Sequence, residues 1–240
     1  MDITFVCGRR PDLLSQTLAA LRAKVLCNFQ VGTVYANIDP FCGNVEDGDK
    51  CEEMLYESFP LVRVTRPEVA SFGAAVKYLW KQPQTDFFLH MEDDWDFLHP
   101  INPEDITHRL RNNVVQVQLA SRDKLYLPKK YSFRTSWRKT FGLKIFKKVD
   151  TSRPLFGTSP SFIKTNFAKA CADRMDPEKD PEKQLYESGT DLGEFTRNFL
   201  NHPLQAPGQK AIVRDLGRDW LNKRGLKKRI VEGVSTWEEI

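Results

Sequence analysis

The sequence lacks the paired cysteines and the long apolar runs that would place it in several common protein classes. Its five cysteines are an odd number without a CxxC pair, so neither a disulfide framework nor a zinc site is indicated. No segment approaches the roughly 20 apolar residues of a transmembrane helix, and the amino terminus has no signal-peptide pattern. We therefore expect reduced thiols in a cytoplasmic protein, or in the host cytoplasm if the source is viral. No pattern indicates an oligomeric state.

Several motifs of nucleotide and nucleophile chemistry are also missing. There is no P-loop, no G-x-G-x-x-G and no nucleophile triad. The four histidines have no metal-ligand spacing, and His90 is expected to be structural, inside a strand. A net charge of +4 with 40% hydrophobic and 28% charged residues describes an ordinary globular chain, long enough for one domain.

Short apolar runs alternate with amphipathic segments through the first hundred residues. Strands are predicted at 3–7, 30–39, 61–66 and 86–92; helices are predicted at 11–25 and 71–82, and residues 42–53 are predicted to form a loop that leads into a short helix. This β-α-β order predicts an α/β fold, a mostly parallel sheet flanked by helices.

Polar side chains follow three of the predicted strands. The segment from Cys7 to Arg10 follows the first, Asp39 ends the second, and the acids of "FFLHMEDDWDF" end the fourth. Ligands of such sheets bind beyond the carboxyl ends of the strands, so these groups are expected to share one crevice.

The acids at positions 92–94 are the sharpest feature of the chain. Adjacent carboxylates repel one another in a cleft, and a divalent cation would compensate them. Hard oxygen ligands suit Mg²⁺ or Mn²⁺, which share their shell with water and substrate phosphates. The alternative is a solvated acidic turn, although the preceding apolar run and Trp95 favour a site.

With these residues the first half of the chain resembles a GT-A glycosyltransferase of the family 2 type. "VCGRRPDLLSQTLAAL" is similar to the family's first strand and helix, and Asp39 matches the acid that meets the base or ribose. "SFGAAVKYLW" is similar to its third helix, with Ser71 where asparagine is usual, and "MEDDW" matches its E-D-D motif. The resemblance implies a GT-A (Rossmann-like) fold, an Mn²⁺ or Mg²⁺ cofactor and a nucleotide-sugar donor, with a UDP-sugar favoured.

The same resemblance implies roles for individual residues on the donor side. The metal ligands would be Asp94, with Glu92 and Asp215. The nucleotide-sugar contacts would be Cys7, Arg9, Asp39, Ser71, Gly73, Glu92, Asp93 and Arg218. In the family a late His-x-Gly segment supplies a metal or phosphate ligand; here Asp215 and Gly217 stand in its place, with Arg218 as a diphosphate contact. A salt-bridged turn is the alternative for this stretch.

The second half of the chain carries two weaker matches. "GTSPSF" resembles the acceptor-side strand, which implies acceptor contacts from Gly157 and Ser159 and, from the donor half, Trp95. "TDLGEF" resembles the family's base-bearing helix start and nominates Asp191 as general base of an inverting enzyme, with Glu187 in reserve. An N-cap formed by Thr190 or Asp191, followed by Glu194, is an equally weighted interpretation, and both roles can hold at once.

A basic stretch at 122–148 contains ten lysines and arginines, one acid and interleaved aromatic rings. This composition suits a polyanion. The proposed acceptor contacts in or near it are Lys129, Lys130, Arg134, Trp137 and Arg138. A solvated insert with its rings in the core, or attachment to anionic lipid, are the alternatives.

We therefore expect one GT-A-like domain over 1–240. Residues 1–98 would form the nucleotide-sugar half, and residues 99–240 the acceptor half, with the basic insert 122–148. The favoured reaction glycosylates a hydroxymethylated pyrimidine in bacteriophage DNA. A glycosyltransferase acting on a glycan or lipid-linked acceptor is one alternative, and a non-catalytic nucleic-acid-binding protein is the other.

Overall fold

The computed structural model describes residues 1–121, 131–140, 143–208, 210–231 and 234–239, with backbone only for 135–140, 143–148, 226–231 and 234–239. The strands are β1 (Asp2–Cys7), β2 (Val34–Ile38), β3 (Val62–Thr65), β4 (Phe87–Glu92), β5 (Trp95–Phe97), β6 (Val114–Leu119), β7 (Phe133–Thr140), β8 (Leu143–Pro154), β9 (Ser161–Lys164), β10 (Leu200–Leu204), β11 (Val213–Asp215), β12 (Leu226–Val231) and β13 (Val234–Glu239). The helices are α1 (Pro11–Leu21), α2 (Val45–Ser58), α3 (Phe72–Leu79), α4 (Pro103–Thr107), α5 (Thr165–Arg174), α6 (Pro181–Gln184), α7 (Asp191–Thr196) and α8 (Gly217–Lys223). A π-helical turn, Arg22–Leu26, extends α1.

A seven-stranded sheet in the order β10-β6-β9-β4-β1-β2-β3 forms the centre of the molecule. Every neighbouring pair is parallel except the two pairs that contain β9. The predicted parallel sheet is therefore confirmed. Because β1, β2, β4 and β6 run in the same direction, their carboxyl ends meet at one edge of the sheet.

Apolar residues bury both faces of this sheet. One core cluster joins β1 and β2 to α1 and α2, through residues such as Leu14 and Leu55. The other joins β4 and β9 to α3 and α5, through residues such as Val76 and Cys171. Helices therefore cover both faces, as expected for strands that are apolar along most of their length.

Several predicted boundaries differ from the structure by one or more residues. The second strand begins at Val34 rather than position 30. The stretch 42–53, predicted as a loop, is largely helical because Asn44 and Asp47 form a reciprocal capping box that starts α2. The third helix starts at Phe72, because Ser71 is its N-cap and accepts a hydrogen bond from the Ala74 amide.

The second half of the chain completes the same sheet. The acceptor-side strand predicted at "GTSPSF" overlaps β9, and α5 follows it directly. β7 and β8 form an antiparallel hairpin, joined to β10 where the Ser132 amide donates to the Asn201 carbonyl. Both halves of the chain therefore contribute to the carboxyl edge of the sheet.

Candidate functional site

A crevice of about 690 Å³ opens at the carboxyl edge of the sheet. The ends of β1, β2 and β4 line one side, and the turn before β9 lines the other, through Thr158 and Ser159. α6 and α8 border it, with Glu182 and Leu221 among the lining residues. Residues distant in sequence thus share one polar cavity, as the strand ends predict.

Most of the predicted site residues lie in this crevice. It is lined by Cys7, Asp39, Ser71, Glu92, Asp93, Asp94, Trp95, Ser159, Asp215 and Arg218. The predicted residues Arg9, Gly73, Gly157, Glu187 and Asp191 lie outside its lining.

Asp93 lies at the floor of the crevice and is fully buried. Its carboxylate accepts hydrogen bonds from the Gly8 amide at 2.9 Å and from Arg10 Nε at 3.2 Å, and Arg10 Nη2 pairs with its Oδ1. Burial alone would lower the pKa of Arg10, but Asp93 and Asp94 raise it above its ordinary value. The buried Asp93 side chain is therefore paired with a buried cation of the chain itself.

Asp94 faces the crevice, with its side chain 15% exposed. Its Oδ2 lies 3.2 Å from Arg10 Nη2, while its Oδ1 is buried and has no hydrogen-bond partner among the described residues. Burial raises the pKa of Asp94 to about 7; Arg10 opposes this shift, and Asp93 and Asp215 add to it. An unpaired buried carboxylate oxygen is costly unless a ligand satisfies it.

Asp215 reaches Asp94 because β11 pairs antiparallel with β5, with Asp215 opposite Trp95. The Leu216 amide donates to the Asp94 carbonyl at 2.8 Å. A Cβ on Gly217 would collide with the Asp94 carboxylate, so glycine at this position leaves that carboxylate in place. Arg218 donates its amide to Asp215 Oδ1 at 3.0 Å and its guanidinium lies 3.5 Å from Oδ2. We call Arg10, Asp93, Asp94 and Asp215 the acidic wall.

The end of β2 forms the next part of the crevice. Asp39 Oδ1 accepts from the Asn37 amide group at 2.6 Å, and its Oδ2 accepts from the Ser71 backbone amide at 3.2 Å. Burial raises the pKa of Asp39 above its ordinary value, against these two hydrogen bonds. The strand end and the start of α3 are thereby locked together.

On the opposite side of the crevice, Ser159 lines the cavity and a buried network of amide side chains lies behind it. Gln118 Nε2 donates to Ser159 Oγ at 2.6 Å, and Asn201 Nδ2 donates to Gln118 Oε1 at 3.0 Å. Behind them Gln116 bonds the Gly157 carbonyl at 2.7 Å and Ser161 Oγ at 2.9 Å. We call Gln116, Gln118, Ser159 and Asn201 the amide wall, of which Ser159 lines the crevice; its buried groups orient one another.

Three predicted donor or acceptor contacts lie outside the lining of the crevice and pack against other parts of the chain. Arg9 lies against α2 at Gly48, and Arg10 rather than Arg9 meets the acids, because the chain turns into α1 immediately after Arg10. A Cβ on Gly73 would approach the Pro177 and Lys179 carbonyls to 2.5 Å, so this glycine allows close packing. Gly157 lies behind the lining, against Gln118 and Glu182.

The structure does not bring Asp191 or Glu187 to the crevice. The Asp191 side chain is 81% exposed and forms an ion pair with Arg174 at 3.1 Å. Thr190 is the N-cap of α7 and accepts from the Gly193 amide at 3.1 Å, while Glu194 accepts from the Gly189 amide. The capping alternative for this stretch is therefore confirmed. Glu187 lies in the turn before that cap, where its carbonyl accepts from Thr190 Oγ1.

Sequence reasoning missed several residues of the crevice. The sequence does not distinguish Arg10 from Arg9, since two adjacent arginines after a strand do not indicate which side chain turns inward. Phe41 lines the crevice with the Arg10 guanidinium 5.4 Å from its ring centroid. Asp180 and Glu182 line it from α6, a helix of four residues too short to give a periodic signal.

The basic stretch is described only in part. Lys129 and Lys130 lie outside the described residues, as do the side chains of Trp137 and Arg138. Arg134 is exposed and lies 5.7 Å from the ring centroid of Tyr186.

The crevice has carboxylates that could share a metal ion with a ligand. Within the described part of the chain, no three His, Cys, Asp or Glu side chains cluster closely enough to hold an ion by themselves. The pair Asp94 and Asp215, with the unpaired Asp94 Oδ1, nevertheless fits Mg²⁺ or Mn²⁺, which take one or two carboxylates plus phosphate and water.

Two further findings concern the described helices and the cysteines. None of the described helices is long and apolar enough to cross a membrane. All five cysteines are free thiols.

Comparison with protein-family models gave no match, and comparison with curated proteins gave none either. Solved structures do match. Residues 1–349 of S. aureus TarS in complex with UDP-GlcNAc are 15% identical at a TM-score of 0.52, with 89% of this chain and 58% of that chain covered. GalNAc-T7 with UDP, GalNAc and Mn²⁺ is 12% identical at a TM-score of 0.52, with 90% and 43% covered.

HddC from Yersinia pseudotuberculosis is 11% identical at a TM-score of 0.50, with 92% of this chain and 96% of that chain covered. The chain spans less than two thirds of the TarS chains that it matches, from 36% to 63% of their length. At these identities the likeness establishes the fold: a mostly parallel central sheet flanked by helices, shared with GT-A glycosyltransferases.

Proposed function

We propose that this chain is a metal-dependent glycosyltransferase that moves a sugar from a nucleotide-sugar donor, a UDP-sugar in the favoured form, to an acceptor hydroxyl group. One observation carries the proposal: the buried, unpaired Oδ1 of Asp94 lies in a crevice at the carboxyl edge of the sheet, beside Asp215. A cation bound there would satisfy that oxygen and offset the repulsion between the two carboxylates.

Asp94 and Asp215 would hold Mn²⁺ or Mg²⁺, and Glu92 would support the site. The ion, when bound, neutralises the charge that develops on the leaving diphosphate. Asp93 would act through Arg10, since its carboxylate is already occupied by Gly8 and Arg10. Arg218, at the mouth of the same wall, would contact the diphosphate.

The nucleoside would lie over the end of β2. Asp39 is fixed there by Asn37 and Ser71, and it would meet the base or ribose. The ring of Phe41 offers a flat apolar surface for the base. The sugar would then lie between the acidic wall and the amide wall, near Trp95 and Ser159, with Cys7 at the floor.

The proposed acceptor is the hydroxymethylated pyrimidine of bacteriophage DNA, in the host cytoplasm. The support is the basic and aromatic composition of 122–148, with ten cations against one acid. A base inside a duplex would have to be flipped out to reach the crevice. A glycan or lipid-linked acceptor is the competing form of the proposal.

Donor binding is tested by titrating UDP and UDP-glucose calorimetrically, with Mn²⁺ or with EDTA. Wild type should bind in a metal-dependent way, and Asp94→Asn should weaken binding by about 100-fold or more, because the variant loses a ligand charge. The matched control is Asp96→Asn, since Asp96 follows two residues later but pairs with Arg214 at 2.7 Å outside the crevice. Failure of a panel of nucleotide sugars to bind wild type would refute the proposal.

The DNA acceptor has a separate test. Neutralising Lys129, Lys130 and Arg138 together should weaken DNA binding and reduce its salt dependence, by roughly 0.9 in the log–log slope for each phosphate that the variant no longer neutralises. Alanine at the exposed Lys50, Lys81 and Lys210 removes the same charge elsewhere and serves as control. Equal reductions in the two triple variants would favour the glycan or lipid-linked acceptor.

A further inference from the structure

The wall opposite the acids carries a carboxylate that no motif of the sequence indicated. α6 begins at Pro181, and both Asp180 and Glu182 line the crevice beside Thr158 and Ser159. If Gly157 carried a Cβ, that atom would lie 3.3 Å from Glu182 Oε1 and 2.9 Å from Gln118 Nε2. The Glu182 carboxylate therefore lies against the amide wall, on the side where an acceptor would approach the donor sugar.

The two carboxylates at the start of α6 have different positions. Asp180 is the N-cap of the helix, and its Oδ1 accepts from the Lys183 amide at 3.0 Å. Its carboxylate is thus committed to the backbone. Glu182 follows in the first turn and lines the crevice with Thr158 and Ser159, where its carboxylate can reach a bound ligand.

The segment that carries Glu182 is firmly held. Buried Gln184 bonds Asp176 in both directions, at 2.8 and 2.9 Å. Ser71 Oγ donates to the Pro177 carbonyl at 3.1 Å, and the missing Cβ of Gly73 lets α3 approach the same turn. The Ser71 backbone amide also donates to Asp39. Ser71 therefore connects the end of β2, where the nucleoside would bind, to the segment that carries Glu182.

The rim beside Glu182 offers a surface for an acceptor. Tyr186 is partly buried, and its pKa is raised by burial and by the nearby carboxylates of Glu182 and Asp180. The Arg134 guanidinium lies over the Tyr186 ring. An aromatic ring next to a cation suits an acceptor that has a flat or anionic group near its hydroxyl.

We propose that Glu182 is the general base of the reaction, a role that rests on the proposed glycosyltransferase function. Its carboxylate takes the proton of the acceptor hydroxyl as the acceptor oxygen bonds to the anomeric carbon. The bond from that carbon to the diphosphate oxygen breaks, and its electron pair leaves with the nucleoside diphosphate. With no acceptor present, water takes the place of the hydroxyl group and the donor is hydrolysed.

The test compares Glu182→Gln with Asp191→Asn, the residue that the family resemblance nominates. Two quantities are measured: UDP affinity with Mn²⁺ by calorimetry, and the rate of UDP release from UDP-glucose, or from whichever nucleotide sugar binds. Glu182→Gln should lower the rate by about 100-fold or more and leave UDP affinity within about twofold. Asp191→Asn should change neither quantity by more than about twofold, because its side chain is solvent-exposed.

Two results would overturn the assignment. One is a Glu182→Gln variant that hydrolyses the donor at the wild-type rate; the other is a loss of rate in Asp191→Asn with Glu182→Gln unaffected. Absence of metal-dependent nucleotide binding in wild type is a different result, and it would remove the glycosyltransferase function together with the role of Glu182. Circular dichroism melting of both variants establishes that each is folded.

Discussion

The acidic wall and the amide wall stabilise their buried polar groups in opposite ways. The acidic wall concentrates charge: Asp93 and Asp94 share the buried cation Arg10, and one oxygen of Asp94 has no partner among the described residues. The amide wall contains no charge among Gln116, Gln118, Ser159 and Asn201, and these groups satisfy one another with few exceptions. The acidic wall has a carboxylate oxygen without a partner among the described residues, and it therefore suits a cation and a diphosphate. The amide wall is neutral and its groups hydrogen-bond one another, so it suits the fixed orientation of hydroxyl groups.

The contrast predicts, first, that Arg10 carries the stability of the acidic wall. Arg10→Met should cost about 3–5 kcal/mol of unfolding free energy, because it leaves the fully buried Asp93 carboxylate without its cation. Denaturant unfolding measures this cost. The control is Arg66→Met, whose ion pairs with Asp49 and Glu52 are largely exposed and should be worth about 1 kcal/mol or less.

Adding Asp93→Asn to Arg10→Met should restore part of the lost stability, since it removes the stranded charge. If Arg10→Met lowers the unfolding free energy by no more than Arg66→Met does, the buried ion pair does not stabilise the acidic wall.

The second prediction concerns His90, a fully buried residue of β4. In β4 it is opposite Thr4 of β1 and Ser161 of β9, and its Nδ1 lies 2.8 Å from Thr4 Oγ1. Burial lowers its pKa from 6.5 to about 3. Between these two pKa values the unfolded chain binds a proton that the folded chain does not, and stability therefore falls as the pH drops through that window.

The expected loss is about 1.4 kcal/mol per pH unit below the unfolded pKa. His90→Gln should remove this component from the pH dependence of the unfolding free energy, and His108→Gln, an exposed substitution, should not. Identical pH profiles for wild type and His90→Gln would contradict a neutral, buried imidazole.

The smallest expected effect concerns the N-cap at the start of α7. Thr190→Ala should cost about 1 kcal/mol, because it removes the side-chain acceptor for the Gly193 amide at the start of α7. Asp191→Asn should cost less, as its ion pair with Arg174 is exposed. Thermal unfolding of the two variants measures the difference, and a larger loss for Asp191→Asn would show that Thr190 is not the effective cap.

The acidic wall was largely predictable from sequence and the amide wall largely was not. Apolar runs of β1 and β4 with polar residues at their ends indicate both the strands and the edge at which Asp39, Asp93 and Asp94 gather. The amide wall arises from β6, β9 and β10, whose neighbours in the sheet are distant in sequence. Nothing local indicates that Gln118 would meet Asn201 or that β9 would run antiparallel between β4 and β6.

The sequence by itself determined the alternation of strands and helices, the acids at the end of β4 and the capping of α7, because each depends on neighbouring residues. Only the tertiary structure decided that Arg10 rather than Arg9 turns inward, that Asp215 reaches Asp94, and that Glu182 rather than Asp191 faces the crevice. The physical reason is that orientation toward a shared cavity depends on sheet order, strand direction and helix packing, which residue type and spacing do not encode locally.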